Sequence, residues 1–319
     1  MDDQEYEFTL QDVKSIIQSK NQIYDFENRG SISFSGGSDS MLMSCLIDEA
    51  IPNNNIPRIY MNTGIEHQAM RKYVQELAKK DKRFIILTPK VNIPRMLKNE
   101  GYPFKSKQHS QNYGVYFRNK EKIEKILNEI ENKPELKFNY DFIHNLEKGT
   151  KSIIKYVLGI REKRNTDSVR ESISTSMLIV PKSLEYQFKG QCKLFISDKC
   201  CLRMKEEPLD KWAKENKKDI AIIGIRADEG GRRSINKKCM AFSKNKITFK
   251  PLMHITDEFK EEYFKRNNIK LCELYYPPFN FKRTGCIGCP FNENIQDDLN
   301  TMYKLLPNEY KQCLHIHAQ

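Results

Sequence analysis

The sequence predicts an α/β fold, in which a parallel β-sheet has helices on both faces. Short apolar segments rich in β-branched and aromatic residues each end at small or polar residues, and each is followed by a segment whose apolar side chains have helical spacing. The predicted strands cover residues 31–34, 57–62, 83–87 and 219–225. Strands that alternate with helices form parallel sheets, whose ligands bind at the carboxyl ends of the strands.

Helices are predicted before the first strand, after the loop that follows the first strand, and from the segment after the second strand through Leu77. Residues 9–20 place their apolar side chains on one helical face, and Thr9 is predicted to cap this helix. Near the end of the chain, another helix is predicted from Phe259 to Arg266.

The middle of the chain has a different character. Between about Tyr113 and Lys189, segments with one apolar helical face, residues 118–132 and 152–158, alternate with sequence dense in charge and asparagine. We expect a mainly helical insertion over residues 113–190, which serves either as a lid or partner-docking surface or as a cover for the sheet. Residues 1–112 and 191–319 then form the N-terminal and C-terminal halves of the sheet domain, the second with a cysteine-rich site.

The chain of 319 residues carries a formal net charge of +12. A basic balance favours polyanionic partners such as nucleotides or nucleic acid, although a solvated lysine-rich surface explains most of these charges equally well. No stretch is apolar over the length of a membrane span, and the acidic start Met1–Glu7 does not resemble a secretion signal. We therefore expect a cytoplasmic protein without membrane association, whose nine cysteines are reduced, metal-bound or catalytic.

The run Ser35-Gly-Gly-Ser-Asp-Ser40 follows the first predicted strand and opens the next helix. Adjacent glycines allow the backbone to approach a ligand, successive N–H groups form an anion-binding nest, and the helix N-terminus adds the positive end of its dipole. The pattern therefore predicts a phosphate site, in which Asp39 holds magnesium or fixes the loop. A plain glycine turn is the alternative. Neither the Walker motif nor the dinucleotide-binding GxGxxG occurs here.

These loop residues resemble the SGGxDS motif of the PP-loop ATP pyrophosphatases, a superfamily that includes adenylate-forming thiolation enzymes and the sulfonucleotide (PAPS and APS) reductases. The resemblance implies an adenine nucleotide alpha hydrolase-like (Rossmann-like) fold with an adenine nucleotide as its ligand. It assigns ATP with Mg to the loop residues Ser35, Gly36, Gly37, Ser38, Asp39 and Ser40.

A second segment resembles the reductase family within this superfamily. Asn62–Glu66 is similar to the DTGxE segment of the reductases, with Asn62 in place of the aspartate. The resemblance implies that Thr63, Gly64 and Glu66 lie close to the nucleotide. The same residues equally suit a helix cap followed by an acidic first turn.

Two basic segments are candidate phosphate or sulfate ligands. Gly101–Lys107 is similar to the GYPxxSK segment of PAPS-reductase-like proteins, including those next to DNA-modification genes, and this makes Lys105 a candidate catalytic residue. Arg226–Ser234 resembles the reductase loop that carries an acid and an arginine at the active site, from which we select Arg232. Ammonium and guanidinium groups suit both anions, although a solvated surface position is the alternative for each.

The cysteines form two motifs, the adjacent pair Cys200-Cys201 and the turn Cys286-Ile-Gly-Cys289. A Cys-x-x-Cys turn supplies two thiolates to one metal centre, and a distant pair completes four ligands. Neighbouring side chains diverge, which suits the separate irons of a 4Fe-4S cluster better than a single zinc. Both motifs resemble the CC…CxxC segments of the APS reductases, including the lysine and Pro-Leu after the pair. Zinc and unligated or redox-active thiols are the alternatives.

Cys313 is a candidate nucleophile. Reductases of this family carry a catalytic cysteine near the C-terminus in a Glu-Cys-Gly-(Leu/Ile)-His tail, whereas this chain has Gln312-Cys-Leu-His-Ile-His317, without the glutamate or the glycine. A histidine two positions away would lower the pKa of the thiol. Residues 307–313 also resemble a helix of non-reductase relatives, in which Cys313 would be an ordinary residue.

Three functions are consistent with these motifs. The preferred one is an ATP pyrophosphatase that adenylylates an acceptor, releases pyrophosphate and delivers sulfur, with DNA or tRNA as candidate acceptor and a cysteine desulfurase as candidate sulfur donor. The complete SGGxDS motif favours it, since reductases often carry degenerate versions. The second is an APS or PAPS reductase that releases sulfite, with thioredoxin as partner. The third is a catalytically silent protein that binds nucleotide or nucleic acid.

Overall fold

The computed structural model describes residues 1–163, 172–176, 178–229, 238–244 and 246–317. The chain divides into two compact units. The first contains Met1–Lys90, Arg203–Gly288 and Gln296–Gln319, and the second contains Val91–Leu202 and Cys289–Ile295. The second unit is thus wider than the insertion expected over residues 113–190.

The described strands are, in chain order, β1 (Gly30–Ser33), β2 (Arg58–Met61), β3 (Phe84–Leu87), β4 (Ile160–Lys163), β5 (Ser172–Thr175), β6 (Ile220–Ile223), β7 (Met240–Ser243) and β8 (Lys246–Phe249). β4 and β5 pair as an antiparallel hairpin in the second unit. The others form a six-stranded sheet in the first unit, in the order β3-β2-β1-β6-β8-β7. Neighbours in this sheet are parallel except β7, which is antiparallel to β8. The predicted α/β fold with a parallel sheet is confirmed, whereas β7 and β8 were not predicted.

The register of the central strands sets where the following loops begin. Ile32 in β1 lies opposite Arg58 in β2 and opposite Ile222 in β6. The side chains of Ile32, Ile59 and Ile222 are buried, so apolar contact stabilises the centre of the sheet. Because β2, β1 and β6 are parallel neighbours, the segments that leave them start at the same edge of the sheet.

The described α-helices are, in chain order, α1 (Asp3–Tyr24), α2 (Phe26–Arg29), α3 (Ser38–Ala50), α4 (Gln68–Lys80), α5 (Ile93–Glu100), α6 (Lys107–Arg118), α7 (Lys120–Asn132), α8 (Tyr140–His144), α9 (Lys148–Leu158), α10 (Lys199–Cys201), α11 (Glu207–Glu215), α12 (Asp257–Arg266), α13 (Ile295–Leu305) and α14 (Pro307–His317). Helices α1, α3 and α12 pack on one another, and α4 packs on β3. Within the described part of the chain, no helix has the length and apolar character that crossing a membrane requires.

The first helix begins earlier than predicted. α1 starts at Asp3, and the side chain of Asp2 caps it by accepting a hydrogen bond from the backbone N–H of Glu5 at 2.8 Å. Thr9 lies inside α1, so the prediction that it caps the helix was wrong. The acidic residues of the first turn favour this longer helix because they interact with its positive end.

The second unit is mainly helical and has its own apolar core. Buried side chains of this core include Tyr113, Tyr116, Ile123, Ile130, Ile153, Ile154 and Phe188. His109 is fully buried, with Nδ1 3.1 Å from the hydroxyl of Tyr156 and Nε2 2.7 Å from Oε1 of Gln187. Burial lowers the pKa of His109, which keeps its ring neutral at physiological pH.

Candidate functional site

The loop between β1 and α3 is held by hydroxyl groups. Oγ of Ser40 accepts a hydrogen bond from the backbone N–H of Ser35 at 3.2 Å and donates one to the carbonyl oxygen of Gly37 at 2.8 Å. The backbone N–H of Gly37 donates to Oγ of Ser35, and that of Ser38 donates to the hydroxyl of Tyr275, both at 3.3 Å. The predicted strand–turn–helix arrangement is therefore present, with N–H groups at the start of α3.

Gly36 is the position in this loop where a side chain would be most strained. Its φ is +78°, a backbone conformation that residues with a Cβ atom rarely adopt. A Cβ atom there would lie 2.3 Å from Sδ of Met70 and 3.1 Å from Cγ2 of Val74, both on α4. The positive φ and the close side chains of α4 together favour glycine at position 36.

Asp39, in the first turn of α3, contacts two cations. Its Oδ1 accepts a hydrogen bond from Nε of Arg226 at 2.8 Å and lies 3.3 Å from Nζ of Lys260. Arg226 follows β6, is 3% exposed, and donates from Nη2 to Oδ1 of Asp257 at 2.7 Å. Burial by itself lowers the pKa of Arg226, but Asp39 and Asp257 more than offset this and raise it, so the guanidinium stays charged. These contacts fix the loop through Asp39, while its magnesium role stays a prediction.

The segment after β2 is organised by Glu66. This residue is 5% exposed, and its carboxylate accepts hydrogen bonds from the backbone N–H of Thr63 at 3.0 Å and from Oγ1 of Thr63 at 2.6 Å. Nζ of Lys205 lies 3.8 Å from Oε1 of Glu66. His67 occupies the N-cap position of α4, so Thr63 is not the cap of that helix. Gly64 has φ of +86°, and a Cβ atom there would meet nothing within 4 Å.

The segment Thr284–Ile287 contacts both loops. Oγ1 of Thr284 lies 2.9 Å from the hydroxyl of Tyr275, which contacts the start of α3. The backbone N–H of Ile287 donates to the carbonyl oxygen of Ile65 at 2.7 Å, and Cys286 forms an antiparallel β-bridge with Glu66. The first cysteine of the Cys-x-x-Cys turn therefore lies beside the segment that was predicted to approach the nucleotide.

Tyr60, in β2, has a buried hydroxyl near this segment. The residue is 2% exposed, and its hydroxyl has no hydrogen-bond partner among the described residues. Burial raises the pKa of Tyr60, and the charges of Glu66, Lys205 and Cys286 also act on it. The hydroxyl therefore stays protonated and able to donate a hydrogen bond.

Helix α14 contacts the segment after β2 through two side chains. The carboxylate of Glu309 lies 2.5 Å from Nδ1 of His67 and accepts a hydrogen bond from the backbone N–H of Gln68 at 2.6 Å. One helical turn later, Nε2 of Gln312 donates to the carbonyl oxygen of Gly64 at 3.3 Å. Burial would raise the pKa of Glu309, but the contacts with His67 and Gln68 lower it, so the carboxylate is charged.

Cys313 lies on the same helix and is 4% exposed. Burial raises the pKa of its thiol, which reduces the fraction of nucleophilic thiolate at neutral pH. The lowered pKa expected from the nearby histidine was therefore wrong. The role of Cys313 as a nucleophile stays a prediction.

Two basic candidates lie away from these loops in the chain. Lys105 is exposed, belongs to the second unit, and has φ of +57° immediately before Ser106, the N-cap residue of α6. Arg232 lies outside the described residues. Their roles as phosphate or sulfate ligands stay predictions.

The cysteine motifs contribute thiol groups to both compact units. All nine cysteines are thiols. Cys200, Cys201 and Cys289 belong to the second unit and Cys286 to the first, and the described residues contain no group of three or more His, Cys, Asp or Glu arranged to hold a metal ion. The chemistry of the donors fits an iron–sulfur centre, because thiolates are its usual ligands.

The sequence matches a known family over most of its length. The family model of the phosphoadenosine phosphosulfate reductase domain matches residues 29–138 and 144–292. The protein belongs to this family. Among curated protein sequences, none matches significantly.

Two solved structures resemble this member of the PAPS reductase family. Phosphoadenylyl-sulfate (PAPS) reductase from Candida auris, solved as a phosphate complex, has 11% sequence identity and a TM-score of 0.42, with 90% of this chain and 96% of that chain covered. The U34-tRNA thiolase NcsA from Methanococcus maripaludis, solved with its 4Fe-4S cluster, has 14% identity and a TM-score of 0.39, with 98% of this chain and 79% of that chain covered.

Several residues that shape the site of this PAPS reductase family protein were not selected from the sequence. Arg226 could have been found, because it follows a clear buried strand whose carboxyl end was expected at the site. Tyr275 ends the short 3-10 helix Glu273–Tyr275, and Thr284 lies in a segment without regular structure, so no periodic spacing distinguished either residue. The contact of Glu309 with His67 joins residues far apart in the chain, which only the fold reveals.

Proposed function

We propose that this PAPS reductase family protein is an ATP pyrophosphatase that activates an acceptor for sulfur transfer. In the proposed reaction, an acceptor oxygen attacks the α-phosphorus of ATP, and the bond to the bridging oxygen of pyrophosphate breaks. The acceptor is left as its adenylate, from which a sulfur nucleophile displaces AMP. Such catalysis depends mainly on positioning and on stabilisation of charge at the phosphates.

The loop between β1 and α3 carries this proposal. It contains every residue of the SGGxDS motif, and the backbone N–H groups of Gly37 and Ser38 donate only long hydrogen bonds of 3.3 Å to hydroxyl oxygens. Phosphate oxygens are stronger acceptors than hydroxyls because they carry negative charge. The β- and γ-phosphates of ATP are therefore expected to take over these N–H groups, with magnesium near Asp39.

Further ligands of the nucleotide are proposed around this loop. Thr63, Gly64 and Glu66 leave the neighbouring strand at the same edge of the sheet, and Gly64 leaves space around its backbone. Lys105 and Arg232 are proposed as additional cationic ligands of phosphate or sulfate, on the basis of their motifs.

We further propose that Cys200, Cys201, Cys286 and Cys289 bind a 4Fe-4S cluster, with zinc as the alternative. The support is the set of four thiols and the β-bridge between Cys286 and Glu66, which brings one thiol-bearing residue beside the proposed nucleotide ligands. When bound, such a cluster supplies iron sites that hold or release sulfur. Iron and sulfide content of anaerobically purified protein tests this assignment, and zinc without iron would contradict it.

The acceptor and partners are proposed from charge. A net charge of +12 suits a nucleic acid acceptor, DNA or tRNA, because basic residues bind the phosphate backbone. A cysteine desulfurase is the proposed source of sulfur.

A sulfonucleotide reductase is the second candidate. The family match and the two cysteine motifs favour it, because the resemblance to APS reductases includes both. Its mechanism requires a reactive cysteine thiolate, and burial raises the pKa of Cys313, the candidate for that role. Pyrophosphatase chemistry does not have this requirement.

Release of pyrophosphate from ATP is the decisive measurement, made with DNA or tRNA, cysteine and a cysteine desulfurase. We expect Asp39→Ala to lower the rate about 100-fold, since it removes a group at the phosphates. Asp257→Ala is the matched control, because Asp257 contacts the same Arg226 but lies outside the loop, and we expect a much smaller effect.

Other outcomes separate the candidates. Sulfite release from APS or PAPS with thioredoxin, without pyrophosphate release from ATP, would establish the reductase instead. Binding of ATP without turnover under any of these conditions would identify a silent nucleotide-binding protein.

A further inference from the structure

Lys260, on α12, places a second cation beside the loop between β1 and α3. Its Nζ lies 2.6 Å from Oδ1 of Asp257 and 3.3 Å from Oδ1 of Asp39, and its side chain is 13% exposed. Asp39 belongs to the first turn of α3. The ammonium group is therefore next to the start of the helix whose N–H groups are proposed to bind phosphate, although no sequence motif contains Lys260.

Arg226 contacts the same two carboxylates and is held more firmly. It is 3% exposed, and its guanidinium donates to Asp39 at 2.8 Å and to Asp257 at 2.7 Å. A third bond, to the carbonyl oxygen of Ile255 at 3.3 Å, fixes its orientation. Each carboxylate thus has a buried cationic partner without Lys260, so the loop does not depend on Lys260 for its attachment to α12.

The ammonium group of Lys260 has donor capacity left over. It carries three N–H donors at the end of a flexible stem, and the described residues provide acceptors for two of them, Asp39 and Asp257. The bond to Asp39 is the longer of the two and is therefore the weaker. Lys260 can turn from Asp39 toward a more negative acceptor while it keeps its bond to Asp257.

We propose that Lys260 is a binding residue for the β- and γ-phosphates of ATP, and that its ammonium group exchanges Asp39 for a phosphate oxygen when the nucleotide binds. This inference rests on the proposed function, which places these phosphates at the start of α3. A phosphate oxygen is a strong acceptor for an ammonium group because both partners are charged.

Such a contact acts on the reaction as well as on binding. Negative charge grows on the pyrophosphate group as its bond to the α-phosphorus breaks, and a cation held beside it stabilises that charge. Lys260 forms no covalent bond and transfers no proton in this role. Because AMP lacks the β- and γ-phosphates, Lys260 makes the site prefer ATP over AMP.

The test compares the affinities of the full-length protein for ATP, inorganic pyrophosphate and AMP, by titration calorimetry in the presence of magnesium. We expect Lys260→Met to weaken binding of ATP and pyrophosphate about 10-fold, as loss of one hydrogen bond between charged groups predicts, and to leave AMP unchanged. Lys260→Arg keeps the charge and should recover part of the loss. If Lys260→Met does not fold, Lys260→Gln, which keeps a donor for Asp257, gives the same comparison.

Lys265→Met is the matched control. Lys265 lies on the same helix, its side chain is 82% exposed, and its Nζ is 4.0 Å from Oε2 of Glu262. The control removes the same charge from α12 at a position away from Asp39, so all three affinities should match those of the natural protein. Lys260→Met should unfold at a temperature close to that of the natural protein, since Arg226 still joins both carboxylates.

Two results would overturn the inference while the proposed function stands. Unchanged binding of ATP and pyrophosphate in Lys260→Met would show that the ammonium group does not reach the phosphates. Equal weakening for ATP, pyrophosphate and AMP, together with a lower unfolding temperature, would show that Lys260 only holds α12 to the loop. A natural protein that binds neither ATP nor pyrophosphate would refute the proposed function, and the inference with it.

Discussion

Nε of Arg226 donates a hydrogen bond to Oδ1 of Asp39 at 2.8 Å, and this bond joins the segments that leave β6 and β1. The same guanidinium donates to Oδ1 of Asp257 at 2.7 Å and to the carbonyl oxygen of Ile255 at 3.3 Å. A single buried cation thus connects the first turn of α3 with the start of α12. The shape of the loop proposed to bind phosphate therefore depends on a residue outside the SGGxDS motif.

Substitution of Arg226 tests this dependence. We expect Arg226→Met to weaken ATP binding about 10-fold and to lower the free energy of unfolding by about 2 kcal/mol, because Asp39 and Asp257 then lose their buried partner. Arg226→Lys keeps the charge without the forked geometry and should be intermediate. Titration calorimetry with ATP measures the binding, and an unchanged affinity in Arg226→Met would contradict the role.

Gly36 and Gly64 form a matched pair for testing the loops. Both have positive φ, so alanine at either position carries a backbone strain of about 1–3 kcal/mol. Only at Gly36 does the added Cβ atom also meet Sδ of Met70, at 2.3 Å. We expect Gly36→Ala to lower the unfolding temperature and ATP affinity more than Gly64→Ala. Equal effects would show that α4 moves away from the loop without cost.

His109 makes the stability of the second unit depend on pH. Burial lowers its pKa in the folded protein below the value of about 6.5 for an unfolded chain, so the unfolded state binds the proton more readily. Its contribution to stability is present above about pH 6.5 and is lost as the pH falls below that value.

Thermal unfolding between about pH 8 and about pH 5.5 measures this dependence. We expect the decrease in unfolding temperature to be smaller in His109→Gln, which keeps an amide between Tyr156 and Gln187 but does not titrate. His254→Gln, at an exposed position, is the control and should follow the natural protein. If the unfolding temperature of His109→Gln falls as much as that of the natural protein, the pH dependence belongs to other groups.

The reactivity of Cys313 follows from its burial. At neutral pH we expect slow alkylation by iodoacetamide, and a faster rate as the pH rises toward the raised pKa of the thiol. Mass spectrometry of the modified protein compares the extent of alkylation at Cys313 with that at Cys192, which is partly exposed. We also expect Cys313→Ser to keep pyrophosphate release, whereas loss of turnover in this variant would support the nucleophile role.

The central strands were predictable because their environment leaves a strong pattern. β6 is almost entirely buried and appears in the sequence as a continuous apolar run, Ile220–Ile223. β1 has only one large apolar residue, Ile32, and was predictable because its alternating sequence leads directly into the glycine-containing loop and the next helix. β7 and β8 were missed because β7 is an edge strand with exposed Phe242 and Ser243, and polar residues interrupt the run.

The candidate site was predictable only where its residues form local sequence motifs. The SGGxDS residues and the residues after β2 form compact local motifs, and parallel strand order alone indicated that they share an edge of the sheet. Tyr60 was placed in a predicted strand, but its lack of a hydrogen-bond partner is a property of packing. Contacts such as Arg226 with Asp39 depend on residues distant in sequence, which leave no periodic signal.

The attachment of α14 has a consequence for synthesis of the protein on the ribosome. Glu309 and Gln312 hold His67 and Gly64, residues that are translated early, through contacts that span more than 240 positions of the chain. A nascent chain therefore exposes the SGGxDS loop long before the neighbouring segment gains its final supports. The proposed nucleotide site should therefore reach its final form only after α14 has been synthesised and has docked on the segment that follows β2.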